Sequence, residues 1–403
     1  MCSPAAETAS TRACSTTSPP VGALLLLLAC GPPPAPLAER AYVWQRAVTP
    51  ALEEALRRDG PTYDALSLLV LEVEADGSAR SIEAPAPLDR PIEAVLRANL
   101  GPGGLDRLPA LAPIARLTED RLRAQGLQIE GLELDVDLPT ARLSAFVSQL
   151  EAVQSAVQAP LSITGLPDWL RSPDLPALLA QTQSWTVQLH DLRPPDGPDR
   201  LHPLFSLPEA TQAIEAAAAL GHPFWVALPT YAYTLRFSAQ GAFSGLRPGA
   251  PQGPLERRLR ADPAAVAALV AALRASPPPA LVGIRWFRLP LPGETEVWHR
   301  RTLAAVRQGR APQAQVVARL ELESPGLFNI VVENTGEEEG AIPSLTILSP
   351  APPLAADAQG GARLGLGAQS VTLWPPATPL PVEGRQTLGW LRYAEGVTPR
   401  ILP

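Results

Sequence analysis

Short runs of alternating or continuous apolar residues punctuate most of this chain, and stretches of helical periodicity separate them. Strand-like runs fall at 42–46, 68–74, 92–97, 130–139, 161–166, 185–190, 224–231 and 281–287. Helical patterns occupy 50–58, 111–125, 175–181, 208–220, 263–274 and 297–306. A further helix begins after Pro139, with Thr140 as its predicted N-cap and Leu143, Phe146, Val147 and Leu150 as its apolar stripe. Residues 75–91 hold Pro and Gly but no clear helix, and a long loop rich in Gly and Pro follows the seventh run. Eight strands, mostly separated by helices, predict an α/β fold, a (β/α)8 TIM-type barrel. An open doubly wound sheet is the alternative, but no Gly-rich phosphate loop follows the first strand. Past residue 312 the helical patterns stop. Strands at 316–322, 327–333, 344–348 and 370–374, separated by turn residues, predict a small C-terminal all-β domain.

The run at 130–139 is the most informative. Read as a strand, it turns Leu132, Leu134, Val136 and Leu138 one way and Glu133, Asp135 and Asp137 the other. A buried row of carboxylates costs several kcal/mol per ion unless it is paired or used. In a (β/α)8 barrel, working residues sit at the C-terminal ends of the strands. The polar residues there are Glu72 and Glu74 on the second strand, Arg97 on the third, Asp135 and Asp137 on the fourth and Thr164 on the fifth. Gln188 and His190 end the sixth, Tyr231 the seventh, and Arg285 and Trp286 the eighth. Together they predict a polar barrel mouth. One reading of its charges is a paired-carboxylate site. The other is an internal salt-bridge network in which Arg97 neighbours both Glu72 and Asp135.

Composition narrows the chemistry. The 403 residues carry a formal charge of -7, and all 33 basic residues are Arg. Lysine Schiff-base or lysine-base catalysis is therefore excluded, and no basic stripe points to nucleic acid. With His190, His202, His222 and His299 as the only histidines and no metalloprotease spacing, no metal and no cofactor is expected. The three cysteines are Cys2, Cys14 and Cys30. The apolar run before Cys30 is too short to span a bilayer and has the length of a signal-peptide core. A body free of cysteine after residue 30 suits an oxidising envelope compartment. The expected organisation is a signal peptide at 1–30, a Pro-rich tether at 31–39, a barrel at 40–311 and a small β-sandwich-like domain at 312–403.

Three resemblances add to this reading. Leu27-Leu28-Ala29-Cys30 resembles a bacterial lipobox, which implies lipidation of Cys30, a membrane anchor and a place in the periplasm or outer membrane. Glu130-Gly131-x-Glu133-x-Asp135-x-Asp137 resembles the strand-four motif of family 18 chitinases, Asp-Gly-x-Asp-x-Asp-x-Glu. That likeness implies a glycan partner, such as one containing N-acetylhexosamine. It implies Asp137 as proton donor, Asp135 as the group orienting the substrate acetamide, and Glu133 in support. Trp286 would stack on a sugar and Tyr231 would touch the acetamide, while Glu72, Arg97, Gln188 and His190 would line the site. The last acid here is Asp, which sets the donor back by about 1.5 Å, one carbon–carbon bond. Segments at 42–46, 132–143, 161–170, 187–190 and 224–231 together resemble an uncharacterised bacterial family, domain of unknown function 3142. This implies a glycosidase-like barrel with no assigned activity.

Overall fold

The computed structural model describes residues 37–402 apart from 75, 86, 87, 89, 101–108 and 192. The expected signal peptide, Cys30 and most of the tether lie outside the described residues. Ala38 and Glu39, assigned from sequence to the tether, belong to the first strand.

The strands in chain order are β1 (Ala38–Val43), β2 (Ala65–Val73), β3 (Ala79–Ser81), β4 (Ile92–Ala98), β5 (Ile129–Val136) and β6 (Leu161–Gly165). Next come β7 (Ser184–Gln188), β8 (Phe224–Pro229), β9 (Ala232–Phe237), β10 (Phe243–Arg247), β11 (Glu256–Arg260) and β12 (Leu281–Phe287). Eight of them run parallel in the order β1-β12-β8-β7-β6-β5-β4-β2, and pairing of β1 with β2 closes the ring. The predicted barrel is therefore the fold. The helices are α1 (Pro50–Arg58), α2 (Leu111–Ala124), α3 (Leu143–Ala156), α4 (Leu175–Leu179), α5 (Leu207–Ala219), α6 (Pro263–Ala275) and α7 (Arg300–Arg307). They cover the outward faces of the strands, where Leu132, Leu134, Ile163, Trp185, Val226 and Ile284 are buried. Thr49 and Asp262 cap α1 and α6 with their side chains. Thr140 does not act as the expected cap. It opens a 3-10 turn, Thr140–Arg142, that precedes α3, and its side chain caps nothing.

Two stretches depart from expectation. Residues 75–91 contain β3, a short strand antiparallel to β2. The Gly/Pro-rich loop after β8 is an antiparallel sheet in the order β10-β9-β11. Gly241 and Gly249 lie outside its strands with φ of +80° and +83°, while Gly245 interrupts β10 itself at φ +137°. The strands themselves are too short to show a period.

The C-terminal strands are β13 (Val316–Ser324), β14 (Leu327–Asn334), β15 (Leu345–Leu348), β16 (Ala355–Ala358), β17 (Arg363–Leu366), β18 (Ser370–Trp374), β19 (Arg385–Arg392) and β20 (Arg400–Ile401). They form two four-stranded sheets, β13-β14-β19-β16 and β17-β18-β15-β20. These share a core of their own, including Ile330, Ile347, Leu373 and Leu388. Glu337, Glu338 and Glu339 tie this region to the barrel side through Arg310, Arg260 and Arg258.

Candidate functional site

Strand alternation decides what fills the lumen. Arg40 and Tyr42 on β1, Glu93 and Arg97 on β4, Glu133 and Asp135 on β5, and Arg285 and Phe287 on β12 all turn inward. Charge therefore occupies the space that apolar layers commonly fill. Arg285 is fully buried between two carboxylates. Its Nη1 donates to Glu93 at 2.5 Å and also to Glu133, and its Nη2 donates to Glu93 at 2.8 Å. Glu93 accepts further bonds from Ser67 at 2.9 Å and Ser162 at 3.0 Å, and pairs with Arg40 at 3.1 Å. Glu133 accepts from the Tyr42 hydroxyl at 2.6 Å, Thr164 at 3.0 Å and Thr186 at 3.1 Å. The guanidinium carbons of Arg40 and Arg285 lie 4.4 and 4.9 Å from the centroid of the Trp225 ring.

Electrostatics separates the two acids. Burial pushes Glu93 up, but Arg285 and Arg40 outweigh it and hold the carboxyl at about 2. For Glu133 burial prevails over Arg285, repulsion from Glu93 adds to the rise, and the group sits above the ordinary carboxylate range. Glu133 has no exposed surface. It belongs to a sealed network beneath the mouth and does not face a ligand there. Among the residues expected at the site, Thr164 joins this network through its bond to Glu133 and also lines a small cavity beside Asp135.

Above the network lies a cleft of about 340 Å³ that brings together Glu72, Arg97, Asp135, Asp137, Gln188, His190 and Tyr231. Register places Arg97 between Glu72 and Asp135, as expected. Its bonds go elsewhere in part. Arg97 Nη1 donates to Asp135 at 2.6 Å and Nη2 donates to Asp137. Glu72 is instead held by both Nε and Nη2 of Arg46, at 2.5–3.0 Å. Burial raises the Asp135 carboxyl and Arg97 draws it part of the way back. Its Oδ1 is buried with no hydrogen-bond partner. That residue borders a further cavity of about 20 Å³, together with Gln188 and His190. This space is enough for about one water-sized group.

Trp286 is a correction. It faces the helices, is fully buried, and donates from Nε1 to Glu39 at 3.1 Å. Adjacent strand residues cannot face the same side, and inward Arg285 forces Trp286 outward. Besides Tyr231, the mouth is lined by Tyr233, Trp44 and Phe287, and the ring centroids of the last two lie 5.1 Å apart. His190 stacks on Phe287 with centroids 5.4 Å apart, and its Nδ1 lies 3.1 Å from the Tyr231 hydroxyl. Burial pushes His190 down to about 3, so it is neutral near pH 7. Arg40, Arg46, Glu93 and Phe287 were not singled out from sequence. The alternations Arg40-x-Tyr42-x-Trp44 and Glu93-x-Val95-x-Arg97 carried the signal for Arg40 and Glu93. Among the described residues, no group of three or more His, Cys, Asp or Glu could hold a metal ion.

Residues 88–292 match the family described as Domain of unknown function (DUF3142). No curated protein sequence matches the chain. A chitinase from Chromobacterium violaceum is similar at 16% identity and TM-score 0.47, over 68% of this chain and 99% of that one. The Bacillus cereus spore cortex-lytic enzyme SleL is similar at 12% identity and TM-score 0.47, over 64% and 71%. The GH18 chitinase ChiB of Flavobacterium johnsoniae is similar at 12% identity and TM-score 0.45, over 68% and 93%.

Proposed function

We propose, for a chain that belongs to the family described as Domain of unknown function (DUF3142), that the barrel mouth binds a glycan and holds it without cleaving it. One observation carries this reading. A single guanidinium, Arg97, spans both mouth acids of β5 and its following turn, while Asp135 keeps one buried oxygen free of partners. The free oxygen is suited to an N–H or O–H of a ligand, such as the acetamide of an N-acetylhexosamine. Trp44 and Phe287 offer apolar surface beside it. A general acid must instead reach the leaving oxygen with a proton to give. Asp137 is one methylene shorter than the acid of the chitinase motif, and its carboxylate is engaged by Arg97. A misplacement of about 1 Å can cost about a hundredfold in rate.

The same proposal sets the protein in the bacterial cell envelope, attached by a lipid on Cys30, as the sequence before that residue supports.

The test pairs binding with turnover. N-Acetylglucosamine oligomers are titrated calorimetrically against the wild type, Asp135→Asn and Trp44→Ala, and chromogenic oligomers are assayed for release. Expected are binding by the wild type, a loss of about tenfold or more in Asp135→Asn from the missing charged acceptor, and no turnover. Turnover that vanishes in Asp137→Asn would establish cleavage instead. Absence of binding across oligomers of several sugars would sink the glycan reading altogether.

A further inference from the structure

The outer face of the β17-β18-β15-β20 sheet has a surface that the barrel mouth does not explain. On β18 and β15 the residues Val371, Leu373, Leu345 and Ile347 turn into the core. Ser370, Thr372, Trp374, Thr346 and Leu348 therefore turn out. Trp374 is 44% exposed. Its six-membered ring lies over Gly365 on the neighbouring strand, in the space a side chain there would fill. An ideal Cβ at Gly365 would come within 2.8 Å of two ring atoms. One side of the indole is thus supported by backbone and the rest is open to solvent.

Charge on this face is one-sided. Arg363 stands opposite Trp374 in register, and Arg400 stands opposite Leu348. Cβ atoms of directly opposed residues lie about 4.5–5.5 Å apart. Neither arginine has an ion-pair or hydrogen-bond partner among the described residues. The outward positions of these strands carry no Asp or Glu. In a chain of net charge -7, an unneutralised guanidinium beside a supported tryptophan, with a second further along the same face, is a local exception.

We propose that this face is a second carbohydrate site, separate from the barrel mouth, which takes a pyranose bearing a carboxylate. The sugar's C–H face stacks on Trp374, and Arg363 pairs with the carboxylate through a planar fork that matches it in two bonds. Thr372 and Thr346 offer hydroxyls to the ring substituents. Arg400 lies further along the sheet, where the next acidic sugar of a polymer would reach. The β domain would then hold an acidic polysaccharide whatever the mouth accepts.

Affinity electrophoresis of the full chain tests this, with alginate as the polyuronate, hydroxyethyl cellulose as the neutral polymer and dextran sulfate as a control for charge alone. Alginate is expected to retard the wild type, and hydroxyethyl cellulose is not. Trp374→Ala should weaken alginate binding about tenfold, the scale of one lost stacking contact with its buried area. Gly365→Ala keeps the tryptophan but lifts its ring, and should weaken binding as well. Arg363→Ala should lose alginate binding, and Asp135→Asn, which disables the mouth, should keep it. The proposal is overturned by no retardation in alginate, by retardation that Trp374→Ala and Gly365→Ala leave unchanged, or by equal retardation in dextran sulfate. Loss of alginate binding in Asp135→Asn alone would assign the polymer to the mouth.

Discussion

At the scale of single residues, burial rather than charge neighbours decides the behaviour of His190. Its imidazole is held at about 3, well below an ordinary histidine near 6.5, because it is enclosed between Phe287 and Tyr231. The unfolded chain therefore binds a proton that the folded chain refuses. The stability this neutral ring contributes is fully present above about pH 6.5. It is lost as pH falls from there toward 3, with a slope of up to about 1.4 kcal/mol per pH unit. Denaturant melts of the wild type and His190→Gln between pH 7 and 4 check this. The variant should show a shallower loss on acidification, and parallel curves would refute the assignment. Residue identity was the least legible level in the sequence. The mouth acids Asp135 and Asp137 could be placed from alternation alone, and so could Arg97 beside them. Trp286 could not stand beside Arg285 on the same face, yet nothing in the local sequence says which of the two turns inward. That choice depends on Glu93 and Glu133, which await the guanidinium from other strands.

At the scale of elements, closure of the barrel depends on a strand that leaves room for its neighbour. On β12, an ideal Cβ at Gly283 would come within 2.1 Å of the Ala38 carbonyl oxygen and 2.7 Å of the Trp225 ring. Neither obstacle is the loose end of a flexible chain. Gly283→Ala should therefore destabilise by about 1–3 kcal/mol, the range for overpacking a core. Thermal unfolding beside Gly253→Ala makes the comparison, since nothing lies within 4 Å of a Cβ at Gly253. Equal melting temperatures would count against a tight β1–β12 seam. The eight barrel strands and seven helices were legible because each strand buries a continuous apolar outer face and each helix a periodic one. The sheet β9–β11 was not, because its short strands are separated by Gly and Pro that read as loop. Strands β16, β17, β19 and β20 escaped similarly, being short or interrupted by Gly389 and Gly365.

At the scale of the whole molecule, barrel and β sheets form one compact unit, and the proposed lipid anchor lies in the sequence before it. If Cys30 carries the lipid, Cys30→Ala should move the protein from the membrane to the soluble fraction and abolish labelling by a radioactive fatty acid. Unchanged fractionation and labelling would remove the anchor from the proposal. The body itself has a further property. The lumen network draws a member from each of the eight parallel strands: Arg40, Ser67, Glu93, Glu133, Ser162, Thr186, Trp225 and Arg285. Apolar layers tolerate a strand that slips by two residues, since one aliphatic side chain replaces another. Here the same slip would strand a bare ion in a dry interior, at several kcal/mol. The ion pairs thus work as a combination lock on closure: every strand must arrive in its own register before the ring can shut. Mistaken closures stand well above the native one in free energy.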